Sequence, residues 1–130
     1  MTQATHSANP NELPTEPLRL KMIKNGSTVV VHVSGMGGVE NAGKLSRILQ
    51  EAAALKPSLL AVDLSELSFI SSTGLGSLVA VHVTCQKSGT RLCLINPRSF
   101  LIEILNITKL NQLFHTCDNL ADAEQLLSST

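Results

Sequence analysis

The chain has 130 residues with ten basic and ten acidic side chains, a length that fits one domain and a tail but is too short for a two-domain enzyme with a cleft between lobes. A formal net charge of zero leaves no basic field for nucleic acid and no acidic run for a basic partner. Three Phe with no Tyr or Trp remove the stacking platforms used on single strands, so no nucleic-acid partner is expected and the core has to be aliphatic.

Residues 1–17 are polar, carry Pro10, Pro14 and Pro17, and read as a disordered N-terminal tail, leaving 18–130 as the domain. From Leu18 the alternation of Leu18, Leu20 and Met22 with Arg19, Lys21 and Lys24 predicts a half-exposed strand. Asn25-Gly26 turns it into an antiparallel return over Thr28 to Val33. Ser34-Gly35-Met36-Gly37-Gly38 is expected to break that strand. From Val39 a helical stripe of Leu45, Ile48, Leu49, Ala52 and Leu55 follows, ending near Lys56-Pro57.

Leu59 to Leu64 predicts a strand parallel to the second, since a helix this closely spaced makes a crossover. After a polar turn, Ser71-Ser72-Thr73-Gly74-Leu75-Gly76 opens a second helix whose stripe is Leu75, Leu78, Val79 and Val83, stopped at Gly89. Arg91 to Ile95 is the next strand. Asn96-Pro97 is expected to cap a third helix carrying Phe100, Leu101, Ile104 and Leu105. A short strand at Leu113 to His115 and a helix capped by Asp118, with Leu120, Ala123, Leu126 and Leu127 inward, end the chain. The order ββαβαβαβα implies an α/β domain with a mixed, mostly parallel sheet and about four helices.

Cys85, Cys93 and Cys117 are odd in number and lack Cys-x-x-Cys spacing, so they read as free buried thiols in a reducing cytosol rather than a disulfide framework or zinc site. No stretch approaches the ~18 apolar residues of a span, and the N-terminus lacks a signal-peptide pattern. A soluble cytoplasmic protein without direct membrane insertion is expected. His6, His32, His82 and His115 show no ligand spacing, so no metal is assigned.

Gly35-Met36-Gly37-Gly38 follows a strand and opens a helix as a dinucleotide loop does, but the third glycine of that fingerprint would fall at Glu40. Asp63 is then the end of a strand rather than a ribose ligand, and Phe69 is expected to be core that anchors the turn. A small nucleotide-binding or enzymatic domain using these glycines predicts a melting temperature raised by a soluble nucleotide. Ser77 lacks glycines on both sides and has no base nearby, so no catalytic residue and no cofactor are assigned. At least one of Ser71, Ser72 and Thr73 should cap the second helix, a role worth ~1 kcal/mol. Capping leaves unexplained why a hydroxyl run is followed by Gly-Leu-Gly at the end of a parallel strand, where such sheets bind.

The run DLSELSFISSTGLGSLVAV resembles the core of the STAS domain, the fold of bacterial anti-sigma factor antagonists: a strand ending in Asp-Leu, then Phe, then Asp-Ser-Ser/Thr-Gly-Leu-Gly and an apolar helix. Gly35, the segment Leu94 to Pro97, the Leu105 to Leu110 turn and the Phe114 to Leu127 ending extend the resemblance over about Leu18 to Leu127. It implies a non-enzymatic binding module in partner switching and transcription regulation. Its partner would be an anti-sigma factor with serine kinase activity that phosphorylates the residue matching Ser72, with Thr73 or Ser71 as alternatives. The implied partner surface comprises Ser71, Ser72, Thr73, Gly74, Leu75, Gly76, Met36, Gly37 and Gly38, on a monomer or weak dimer.

Two departures bear on the switch. Ser71 stands where the family usually has aspartate, and Gly35-Met36-Gly37-Gly38 replaces Gly-Glu-Leu/Ile-Asp, with no acid before Glu40. Fewer carboxylates there imply changed kinase recognition or phosphorylation rate, and bear less on the binding role than on the switch. They favour, as an alternative, a constitutive, non-phosphorylated STAS adaptor in a signalling assembly or a lipid-transport ATPase complex.

Overall fold

The computed structural model describes residues 17–128; the expected tail therefore lies, Pro17 apart, outside the described residues. Five strands form one sheet in the order β1 (Arg19–Asn25), β2 (Thr28–Gly37), β3 (Leu59–Ile70), β4 (Arg91–Ile95) and β5 (His115–Cys117). The first pair is antiparallel and the rest are parallel. Four α-helices follow: α1 (Ala42–Ala54), α2 (Ser72–Ser88), α3 (Ser99–Ile107) and α4 (Leu120–Ser128). The expected order is thus observed in a single α/β domain, with 3-10 turns at Val39–Asn41 and Leu110–Gln112 added.

The β1–β2 hairpin turns at Asn25-Gly26, where Gly26 takes φ +63°, the left-handed region that glycine enters without steric cost. Val29, Val31 and Val33 point one way from β2 and meet Leu60, Val62 and Leu64 of β3 and Leu92 and Leu94 of β4. Onto this face α1 presses Leu45 and Leu49, α2 presses Leu78 and Val81, and α3 presses Leu101 and Leu105. The other face carries Val30, Leu59, Ala61, Cys93 and Ile95, over which α4 lays Ala123 with Leu120, Leu126 and Leu127 at its margin.

Several local expectations give way to tertiary pairing. β2 does not break at Ser34 and β3 does not end at Leu64, because Ser34, Gly35, Met36 and Gly37 pair with Glu66, Leu67, Phe69 and Ile70. Seven steps of β3 face five of β2 after His32 and Asp63, so the extension is bulged. Bulges re-aim side chains, which is why Phe69 lies 43% exposed instead of in the core. Leu55 follows the end of α1 and is exposed, with Ala53 buried in its place. The buried stripe of α2 runs through Leu78, Val81 and Cys85, and Val83 faces out.

Asn96 does not cap α3. It adopts φ +49° and its amide donates to Cys117 O at 2.7 Å, which keeps the chain paired to β5 until Arg98 opens the helix. Leu113 and Phe114 donate back to Leu110 O, so β5 begins only at His115. α4 is capped by Asn119, whose Oδ1 accepts from Asp122 N at 2.9 Å, rather than by Asp118. Gly89, by contrast, ends α2 as expected, at φ +77° with its amide on Cys85 O.

Candidate functional site

The ends of β2 and β3 deliver the hydroxyl run to the start of α2. Ser71 is held on all sides: its amide donates to Gly37 O at 2.7 Å, its carbonyl accepts from Leu75 N at 2.8 Å, and its Oγ accepts from Gly74 N at 3.0 Å. With extended backbone and 8% exposure, it is the N-cap. Ser72 is therefore the first helical residue, and both Ser72 and Thr73 are exposed. Their amides belong to the first turn, whose N–H groups an α-helix leaves without internal partners.

The first turn of α2 holds no acidic residue. The positive end of the helix dipole is thus uncompensated from within the helix, a setting that favours an added anion. Thr73 contributes a further link through its carbonyl, which accepts from Ser77 Oγ at 3.3 Å.

The two glycines of the motif do different things. A Cβ on Gly74 would meet Ile70 Cγ1 at 2.8 Å and Gly37 O at 3.5 Å, so this glycine allows α2 to close on the strand ends; one on Gly76 would meet nothing within 4 Å. Only Gly76 is open to a close approach from outside. Gly37 is likewise buried, with Phe69 O 3.3 Å from where its Cβ would stand. Of the residues expected at the surface, Ser72, Thr73 and Gly76 are exposed, Met36, Gly38 and Leu75 are half-buried, and Ser71, Gly37 and Gly74 are buried supports.

Met36 O accepts from Asn41 Nδ2 at 3.3 Å, and Gly38 O accepts from Asn41 N at 3.1 Å. These bonds fix the 3-10 turn, which packs against α2. The turn carries Val39, 68% exposed. Phe69 is the cross-strand partner of Met36. Two large apolar side chains thus border the hydroxyl site, and neither was expected there. Val39 reads in the sequence as the start of an amphipathic stripe and Phe69 as core that anchors the turn; only the bulges and the 3-10 turn expose them.

Gly35 takes φ +88°, and an added Cβ would collide with Pro17 O. Its carbonyl accepts from Ser68 Oγ at 3.0 Å. Glycine at this position permits β2 to run beneath the entering chain. Among the described residues no three His, Cys, Asp or Glu side chains gather as metal ligands do, and no helix is long and apolar enough to cross a membrane. Asp63 lies on the other face, where Oδ2 meets His32 Nδ1 at 3.0 Å and Oδ1 accepts from Ser65 N and Oγ at 3.0 and 2.7 Å. It organises the first bulge rather than ending the strand.

The STAS domain family model matches residues 19–123. Among solved structures, an anti-sigma factor antagonist from Mycobacterium paratuberculosis is similar at 24% identity and a TM-score of 0.76, covering 85% of this chain and 93% of that one. The phosphorylated form of the Bacillus cell fate determinant SpoIIAA gives 16% identity and a TM-score of 0.65 over 85% and 99% of the two chains. A sulfate transporter family protein from Wolinella succinogenes gives 21% identity and 0.66 over 83% and 93%.

Proposed function

Since the chain belongs to the STAS domain family, we propose that it is an anti-sigma factor antagonist, a binding module whose partner is an anti-sigma factor with serine kinase activity and whose switch is phosphorylation of Ser72. One observation carries the choice of residue. Ser71 is buried and committed to capping, while the adjacent Ser72 is exposed at the first position of the same helix. A kinase reaches the second hydroxyl without dismantling the cap.

The consequence of modification follows from charge. Phosphate adds about −1.5 to −2 charges and three acceptor oxygens. The first turn of α2 accommodates that charge within the domain, whereas a partner packed on Phe69, Val39 and Leu75 would have to desolvate it. Binding is therefore lost while the fold is kept. Incubation with the kinase partner and ATP should add one phosphate, and Ser72→Ala should abolish it; addition at Thr73, Ser71 or elsewhere would overturn the assignment.

A second reading, a constitutive adaptor that binds without phosphorylation, is favoured by one feature of the same site. The first turn of α2 and the Gly35–Gly38 segment together carry no carboxylate, so the acidic surroundings of the family's phosphorylated serine are reduced. It predicts stable partner binding that neither ATP nor Ser72→Asp disturbs. A Ser72→Asp variant that releases the partner rejects it.

A further inference from the structure

Two of the three cysteines, 24 positions apart in the chain, meet on the sheet face beneath α4. β4 and β5 pair in parallel with Cys93 opposite His115 and Ile95 opposite Cys117, and the cysteine sulfurs stand 2.9 Å apart. This is closer than two non-bonded sulfur atoms ordinarily approach. A disulfide bond requires about 2.05 Å, so the pair has about 0.9 Å left to close. β5 is a three-residue strand at the sheet edge, paired on one side only, and is the element that can make that movement with least loss of hydrogen bonding.

We propose that Cys93 and Cys117 form a redox-sensitive pair that closes to an intramolecular disulfide when the protein meets a low-molecular-weight disulfide. The two thiols differ in access. Cys93 has no exposed surface, whereas Cys117 is half-buried. A small oxidant reaches Cys117 first. Burial, together with the neighbouring Cys117 thiol, pushes the Cys93 thiol well above its ordinary range, so Cys93 stays protonated until a base takes its proton and acts second, as the resolving thiol. Cys85 lies on the opposite face, in the cluster under α1 and α2, where burial pushes it up to about 11. It is a spectator.

The chemistry balances in two exchanges. The Cys117 thiolate attacks one sulfur of the small disulfide, forming a mixed disulfide and expelling one small thiolate. That thiolate takes the Cys93 proton. The Cys93 thiolate then attacks Cys117 Sγ, forming the intramolecular bond and breaking the mixed one, and the second small thiolate leaves and takes up the proton that Cys117 gave to solvent. Two protein thiols are oxidised and one small disulfide is reduced to two thiols. The closed loop contains α3 and ties β5, from which the chain enters α4, covalently to β4.

The test uses the full chain, reduced, freed of reductant and exposed to oxidised glutathione in native buffer. Titratable thiols, measured after denaturation, are expected to fall from three to one. The mass should drop by two hydrogens, and a non-reducing peptide map should join the Cys93 and Cys117 fragments. Cys85→Ala should cross-link like the parent, and Cys117→Ser should not cross-link. The oxidised protein should melt higher by roughly 5–15 °C, and a dithiol reductant should reverse the shift. A persistent glutathione adduct on Cys117, a bond involving Cys85, a bond that forms only in denaturant, or a bond that leaves the melting temperature unchanged or lower would each overturn the proposal.

Discussion

The two faces of the sheet are finished in different ways. On one, α1, α2 and α3 cover the sheet with a continuous aliphatic cluster whose members include Leu45, Leu49, Leu60, Leu78 and Leu94, all at most 1% exposed. On the other, α4, nine residues long, covers β3, β4 and β5, and beyond it His32 and Ile23 remain 45% and 40% exposed. The thick side holds α2 rigidly and so fixes where Ser72 is presented. The thin side carries the polar and sulfur chemistry, the His32–Asp63 pair and the two facing thiols, because fewer neighbours there demand an apolar residue.

Truncations that remove packing on each side give the largest effect. Leu78→Ala, fully buried on the inner side of α2, should cost ~2–5 kcal/mol in urea denaturation, while Leu120→Ala at the margin of α4 should cost about 1 kcal/mol. Equal losses would mean that α4 is as tightly built as α2. Next in size, Gly74→Ala should cost ~1–3 kcal/mol, since the added methyl must push Ile70 aside. Gly76→Ala, with open space around it, should stabilise by ~0.5–1 kcal/mol, as alanine favours a helix interior over glycine. A stabilised Gly74→Ala would show that α2 has room to move on the strand ends.

Smaller still is the contrast between neighbouring serines. Ser71→Ala should cost ~1 kcal/mol, Ser71→Asp should retain the cap, and Ser72→Ala should stay within ~0.5 kcal/mol of the parent. A larger loss at Ser72 than at Ser71 would reverse their roles. The smallest effect concerns pH. Burial, and secondarily the charge of His115, lower the His82 pKa below its usual value of 6.5. The folded state therefore favours neutral His82: its contribution is complete above about pH 6.5 and is lost as pH falls through the lowered value. His82→Gln should flatten the acid side of a melting-temperature profile, and an unchanged profile would assign that slope to other groups.

Much of the fold was legible because its signals are local. Asn25-Gly26 and Gly89 need only their own backbone to turn or stop a segment, and the valines and leucines of β2 to β4 carry their burial in their composition. The site was legible to the same degree: a hydroxyl run before Gly-Leu-Gly placed a helix start at Ser71 and Ser72. What could not be read was which serine caps. That choice rests on Ser71 donating to Gly37 O, a bond between strands far apart in sequence.

The chain by itself thus determined the order of elements, the hairpin, the parallel crossovers and the position of the hydroxyls, since periodicity and turn chemistry act within a few residues. Tertiary structure decided which side chains face outward and which meet. The extra residues of β3 turned Phe69 to the surface, pairing of Asn96 with β5 delayed α3, and the register of β4 on β5 brought Cys93 to Cys117. Register is set by the sum of contacts along neighbouring strands, and a shift of one residue changes every face; no single stretch of sequence holds that information.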